Sequence, residues 1–92
     1  MYIAEWHWTD ESIEHIARHG VRPSDVLAAW RGSPKFRRNK KNRAATHQMI
    51  GPDSSGHFLA VFIREDDVYE GRWRVITARS ANDAERAWWK RN

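Results

Sequence analysis

Trp73-Arg74-Val75-Ile76-Thr77-Ala78-Arg79-Ser80-Ala81-Asn82-Asp83-Ala84-Glu85-Arg86 reads as a strand that runs almost directly into a helix. Val75, Ile76 and Thr77 are β-branched and follow Trp73, a composition suited to a pleated, mostly buried strand. Ser80, Asn82 and Asp83 carry side-chain oxygens able to cap the free N–H groups of a helix start, and Glu85 suits its positive end. Arg79 sits at the junction. It either closes an ion pair with Glu85 or Asp83 or meets an external anion beside the helix N-terminus, and residue type leaves both open.

Working outward, residues 57–64 (His-Phe-Leu-Ala-Val-Phe-Ile-Arg) are apolar on both faces. This is the pattern of a central strand covered on both sides, or covered on one side with its aromatics free for use. Glu65-Asp66-Asp67 open a turn that Gly71 closes, ahead of a last strand at 72–79 and a last helix at 82–91. Ala84, Ala87 and Trp88 follow a 3/4 spacing and are expected to pack that helix on the sheet. Residues 44–51 read as a further strand, joined to the central one by the turn Pro52-Asp53-Ser54-Ser55-Gly56.

At the other end, residues 2–8 alternate as an edge strand, with Tyr2, Ala4, Trp6 and Trp8 on one face and Ile3, Glu5 and His7 on the other. Thr9 and Asp10 form an N-cap region for a helix over 10–19, whose Ile13, Ile16 and Ala17 would face the sheet. Gly20 is placed to end it with positive φ. Arg22-Pro23-Ser24-Asp25 then restart a helix, apolar at Val26, Leu27, Ala29 and Trp30, that Gly32-Ser33-Pro34 end. The expected fold is α+β: a single domain over residues 1–92, with an antiparallel sheet of four to five strands, two N-terminal helices and one C-terminal helix.

Composition narrows the function classes. Hydrophobic residues make up 40% of the 92 and charged residues 30%, as in a small-core folded domain. Six Trp supply large buried area per residue, and the lack of Cys excludes disulfides and thiolate metal sites. No apolar run approaches the roughly 18 residues needed to span a bilayer. The start, Met1-Tyr2-Ile3-Ala4-Glu5-Trp6, has no basic-then-apolar secretory pattern, so a cytoplasmic location is expected. The net charge of +4 is concentrated: Lys35, Arg37, Arg38, Lys40, Lys41 and Arg43 fall within nine residues that contain no acid. That segment is a short strand leading into a loop, or all loop. It is a solvated run, a phosphate-tracking element for nucleic acid, or a dock for an acidic protein.

His15 and His19 share one helix face at the spacing of a zinc pair, but Ile16 stands where a metalloprotease has Glu and spacing supplies no third ligand. No metal or other cofactor is expected. Adjacent Trp88 and Trp89 point about 100° apart on a helix, so one is expected to stay exposed. The chain lacks a Gly-rich phosphate loop, a nucleophile elbow and a Cys–His arrangement. A metal-independent ribonuclease needs a base for the 2′-hydroxyl, an acid for the leaving oxygen and cations for the phosphate. His15, His19, His47, Glu85, Arg64, Arg74 and Arg79 supply those residue types.

Trp6, Asp10, the run His15-Ile16-Ala17-Arg18-His19-Gly20-Val21 and Val26 resemble the opening of BrnT-type toxins of bacterial type II toxin–antitoxin systems. Arg74-Val75-Ile76-Thr77-Ala78-Arg79-Ser80-Ala81 with Glu85-Arg86 resemble the family's close, and Ile50-Gly51 with Phe58-Leu59-Ala60-Val61-Phe62 fit its central hairpin. The likeness covers nearly the whole chain. It implies a RelE-like fold and an endoribonuclease that cleaves RNA to halt translation. It also implies a cognate antitoxin, a ribbon-helix-helix DNA-binding protein. His19, Gly20, Arg79 and Glu85 match recurrent family positions. The chain departs from the family at His57, where an Arg is common, and at Trp88 or Trp89, where a Tyr is usual.

On this reading Arg37, Arg38, Lys40, Lys41 and Arg43, with Lys35, hold the RNA backbone. Arg79 with Arg74 or Arg64 stabilises the phosphate, and His19 or His47 with Glu85 transfers protons. The competing expectation is a non-catalytic module of the same fold that binds nucleic acid or a protein.

Overall fold

The computed structural model describes residues 1–40 and 43–92. In chain order it contains β1 (Glu5–His7), α1 (Asp10–Ala17), α2 (Pro23–Arg31), β2 (Lys35–Arg38), β3 (His47–Pro52), β4 (Phe58–Glu65), β5 (Arg72–Ser80) and α3 (Asp83–Arg91). Thr9 caps α1, its Oγ1 accepting from Ser12 N while Ser12 Oγ accepts from Thr9 N. Gly20 takes φ 74° and lets Val21 N return to Ile16 O at 3.1 Å, which ends the helix and turns the chain toward α2. Pro23 opens α2, where Asp25 accepts from Arg22 N at 2.8 Å. The basic run therefore begins as the short strand β2. None of the helices is long and apolar enough to cross a membrane among the described residues.

The strands form one sheet in the order β1-β5-β4-β3-β2. β2 to β5 make an antiparallel meander, but β1 joins β5 in parallel, with Trp6 opposite Trp73. The α+β class holds, whereas the wholly antiparallel sheet does not: the sheet is mixed. The cause is topological. The chain between β1 and β2 goes into two helices, the meander then ends with β5 on its open edge, and β1 can add only there. A parallel pair needs a long crossover, and here the rest of the chain provides it. The junction is reinforced by Ala4 N donating to Gly71 O at 2.8 Å and Trp73 Nε1 donating to Tyr2 O at 2.9 Å.

Both faces of β4 are covered. α1 and α2 lie on one face, where Ile16, Val26 and Ala29 meet Met49, Leu59, Val61, Ile63 and Val75. α3 lies on the other, where Ala81, Trp88 and Trp89 meet Ile50, Ala60, Phe58 and Phe62. Between Phe62 and Ile63 the register with β5 slips, so that Ile76 is an extra residue, a β-bulge.

Two helical stripes differ from expectation. On α1 only Ile16 is buried; Ile13 is 38% exposed and Ala17 is exposed. On α3 the inward positions are Glu85, Trp88 and Trp89, while Ala84 is exposed. Both tryptophans are half-buried, so neither is left fully free.

Gly71 tests the β1 junction. Its φ is 82°, and a Cβ there would come within 2.7 Å of the Tyr2 ring and 3.1 Å of Ala4 Cβ. Gly71→Ala should destabilise by about 1–2 kcal/mol, seen as a thermal midpoint lower by about 5–15 °C. Gly20→Ala should cost less, since nothing lies within 4 Å of its added Cβ.

Candidate nucleic-acid interface

Residues directly opposite one another in a sheet share a face. On the α3 side, Lys35 lies in one row with Ile50, Ala60 and Arg79, and Arg37 in the next with Gln48, Phe62 and Thr77. Arg64 continues the series with Arg74 and His7, and Arg72 pairs with Glu5. The basic run is therefore divided by strand alternation. Lys35 and Arg37 join the α3 face, while Phe36 and Arg38 turn to the helical side, Phe36 packing against the core.

Aromatic rings hold the cations of this face. Lys35 Nζ lies 4.4 Å from the Trp89 ring centroid and donates to Trp89 O at 2.6 Å. The Arg37 guanidinium sits 4.7 Å over Trp88, and that of Arg79 5.2 Å from Phe62. Arg37 Nε also donates to Gln48 Oε1 at 2.8 Å, and Gln48 Nε2 donates to Asn39 Oδ1 at 2.8 Å. Each of these three cations thus has a ring to orient it.

Arg79 and Glu85 form a two-pronged pair, with Nη1 to Oε1 at 2.7 Å and Nη2 to Oε2 at 2.9 Å. Glu85 Oε1 also accepts from Asn82 N at 2.8 Å, while Asn82 Oδ1 accepts from Glu85 N, closing a capping box at the start of α3. Burial by itself would raise the carboxyl's pKa. The Arg79 and Asn82 donors outweigh it, and the net shift is downward. Arg79 is shifted up, chiefly by its hydrogen bonds to Glu85. Of the two sequence-level options for Arg79, the ion pair with Glu85 is formed. Glu85 accordingly positions Arg79 and stays ionised near neutrality.

Beyond Phe62 the face opens toward the segment after β2. There Asn39, Lys40 and Arg43 line a cavity of about 220 Å³ together with Phe62, Ile76 and Thr77. Lys41 lies outside the described residues.

The expected site is only partly assembled. Lys35, Arg37, Arg64, Arg74, Arg79 and Glu85 share the α3 face, whereas both histidines expected in proton transfer lie elsewhere. His19 is exposed beyond the end of α1, its ring 5.8 Å from that of His15. His47 is on the helical side, opposite Arg38, edge-on to Trp73 at 5.3 Å with Nδ1 at 2.9 Å from Thr46 Oγ1. Burial first, then the Arg38 charge, hold its pKa down. His47, Arg38 and Arg64 do line a common cavity at the sheet's end, but Glu65, Asp66 and Asp67 line it too, a poor setting for an anion.

Sequence reasoning missed Phe62, Gln48 and Asn39 as organisers of the face. It also missed His7, which accepts at Nδ1 from Arg72 Nη2 at 2.6 Å. The signal for His7 was its alternation with Glu5, readable once β1 is known to lie beside Arg72 and Arg74. Among the described residues, no group of His, Asp or Glu comes together in a way that would hold a metal ion, so the His15–His19 pair lacks a third ligand there. No protein-family model matches the chain, and no curated protein matches it.

The Glu85 pair gives a signed pH prediction. A carboxylate with a lowered folded pKa contributes its stability above the ordinary glutamate value of about 4.3, and loses it as pH falls through the folded value. Glu85→Gln should cost about 2 kcal/mol at neutral pH. That is less than the roughly 3–5 kcal/mol for breaking a fully buried pair, because 38% of the Arg79 side chain remains in solvent. Urea unfolding as a function of pH should also show a flatter acid limb for this variant than for the wild-type chain.

Proposed function

We propose that the chain is an endoribonuclease of the BrnT type with a RelE-like fold, the toxin of a type II toxin–antitoxin pair, acting in the cytoplasm without a metal. The observation that carries this reading is the α3 face of the sheet. Lys35, Arg37, Arg64, Arg74 and Arg79 lie on one surface, three of them oriented by aromatic rings. A phosphodiester backbone is met by spaced cations, and bases stack on aromatic faces. The likeness of both chain ends to BrnT toxins supports the same reading.

In this reading Arg37 and Lys35 grip the backbone near α3, Lys40 and Arg43 extend the grip past Phe62, and Arg64 and Arg74 take phosphates lower on the sheet. Arg79, already locked by Glu85, presents its remaining exposed surface to the RNA. The antitoxin, a ribbon-helix-helix protein, competes for this face and silences the enzyme.

Expression of the wild-type chain in a bacterium should arrest growth and shorten cellular RNA, and co-expression of the neighbouring gene's product should relieve both. The double variant Arg37→Ala/Arg64→Ala should bind single-stranded RNA more weakly, with a log–log salt slope shallower by about 1–2. A wild-type chain that neither slows growth nor degrades RNA sinks the enzyme reading. Salt-sensitive RNA binding without cleavage products would leave the non-catalytic module in its place.

A further inference from the structure

β1 stops at His7 while β5 continues to Ser80, so the sheet edge beside β5 is stepped. α1 begins at that step. Between them lies a cavity of about 260 Å³, with His7, Arg74 and Ile76 on its strand wall and Glu11, Ser12 and His15 on its helical wall. Glu11, Ser12 and His15 lie outside the gripping face described above, whereas His7 and Arg74 belong to its last row.

The chemistry of this cavity is that of a donor set. A guanidinium can only donate, so the contact from Arg72 Nη2 makes His7 Nδ1 the acceptor and places the proton of the neutral ring on Nε2. Arg72 thereby fixes His7 as an Nε2–H donor. Arg74 has unspent capacity. Its Nε is out of contact with solvent and has no hydrogen-bond partner, and among the described residues no carboxylate forms a salt bridge with it. A buried guanidinium N–H without an acceptor is costly, and an anion seated beside it removes that cost. Ser12 is already engaged with Thr9, so it adds little. Glu11 is the one acid in the lining and sits on the exposed first turn of α1, facing Arg74 and two imidazoles.

We propose that this cavity binds a phosphate group, with the Arg74 guanidinium and the Nε2–H of His7 as donors and His15 on the helical wall. The proposal rests on the RNA reading and extends it. Ile76 also lines the cavity that Lys40, Arg43 and Phe62 line, so cations occur on both sides of that residue. That recurrence suits a phosphodiester chain better than an isolated carboxylate. Ile76, the bulge residue, lines both cavities. His15 lines the cavity, and its ring lies 5.8 Å from that of the exposed His19.

The test follows imidazole nitrogens by NMR while the folded full chain is titrated with inorganic phosphate and then with a short oligoribonucleotide. His7 and His15 should shift with both probes, and His57, which is hydrogen-bonded to Ser80 Oγ, should not. Arg74→Gln and His7→Phe should each weaken oligoribonucleotide binding by about 10-fold, the range expected for one lost charged hydrogen bond. His15→Asn, at an exposed position, should weaken it less and keeps the test usable if either of the others does not fold. If RNA binds at wild-type strength to all three variants and neither histidine shifts, the phosphate site is overturned while the RNA reading stands. If the wild-type chain binds no RNA, both fall.

Discussion

The bond on which the rest of the site depends is the two-pronged contact between Arg79 and Glu85. It crosses from the end of β5 to the inward side of α3, and Glu85 is only 4% exposed. A carboxylate at that depth is tolerable only when its oxygens are satisfied, and here a guanidinium and a backbone N–H do so together. With Glu85 anchored, the rotation of α3 about its own axis is set. That rotation lays Trp88 over Arg37 and Trp89 over Lys35. One ion pair therefore disposes two indoles and, through them, two further cations.

The tryptophans divide into two groups with different duties. Trp6 meets Trp30 edge-on at 5.7 Å and Trp73 meets His47, filling the helical side of a chain with little core to spare. Trp88 and Trp89 close the second core and at the same time lend their faces to charged neighbours. An aromatic residue can serve both ends because its ring is apolar at the edge of the core and electron-rich toward a cation. Long basic side chains that are pre-oriented in this way lose less freedom when an anion arrives.

Local signals carried most of the architecture. Gly20 and Gly71, the Thr9 and Asn82 caps and the doubly apolar 57–64 stretch placed every element but β2 within a few residues of its observed bounds, and put the first strand at an edge. The direction of β1 was not legible, because pairing between residues 5–7 and 72–74 is settled by how the intervening chain is consumed. The buried stripe of α3 was misjudged for a related reason. Ala84 is the obvious apolar choice, yet Glu85 goes inward because Arg79, six residues earlier and on another element, is there to receive it. In the candidate site, charge density singled out the basic run. Its division by alternation, and the separation of His19 and His47 from the arginines, needed the register.

The parallel pairing of β1 with β5 also constrains the order of events as the nascent chain leaves the ribosome. β1 has no partner until residues 72–74 have emerged, so Trp6 must wait while some 65 further residues are made. The meander from β2 to β5 can form through short-range contacts in the meantime, and the contact that closes the sheet spans the greatest sequence separation. Closure of the β1–β5 edge thus acts as a completion signal for the fold. The stepped cavity, which takes His7 from one end of the chain and Arg74 from the other, exists only after that event.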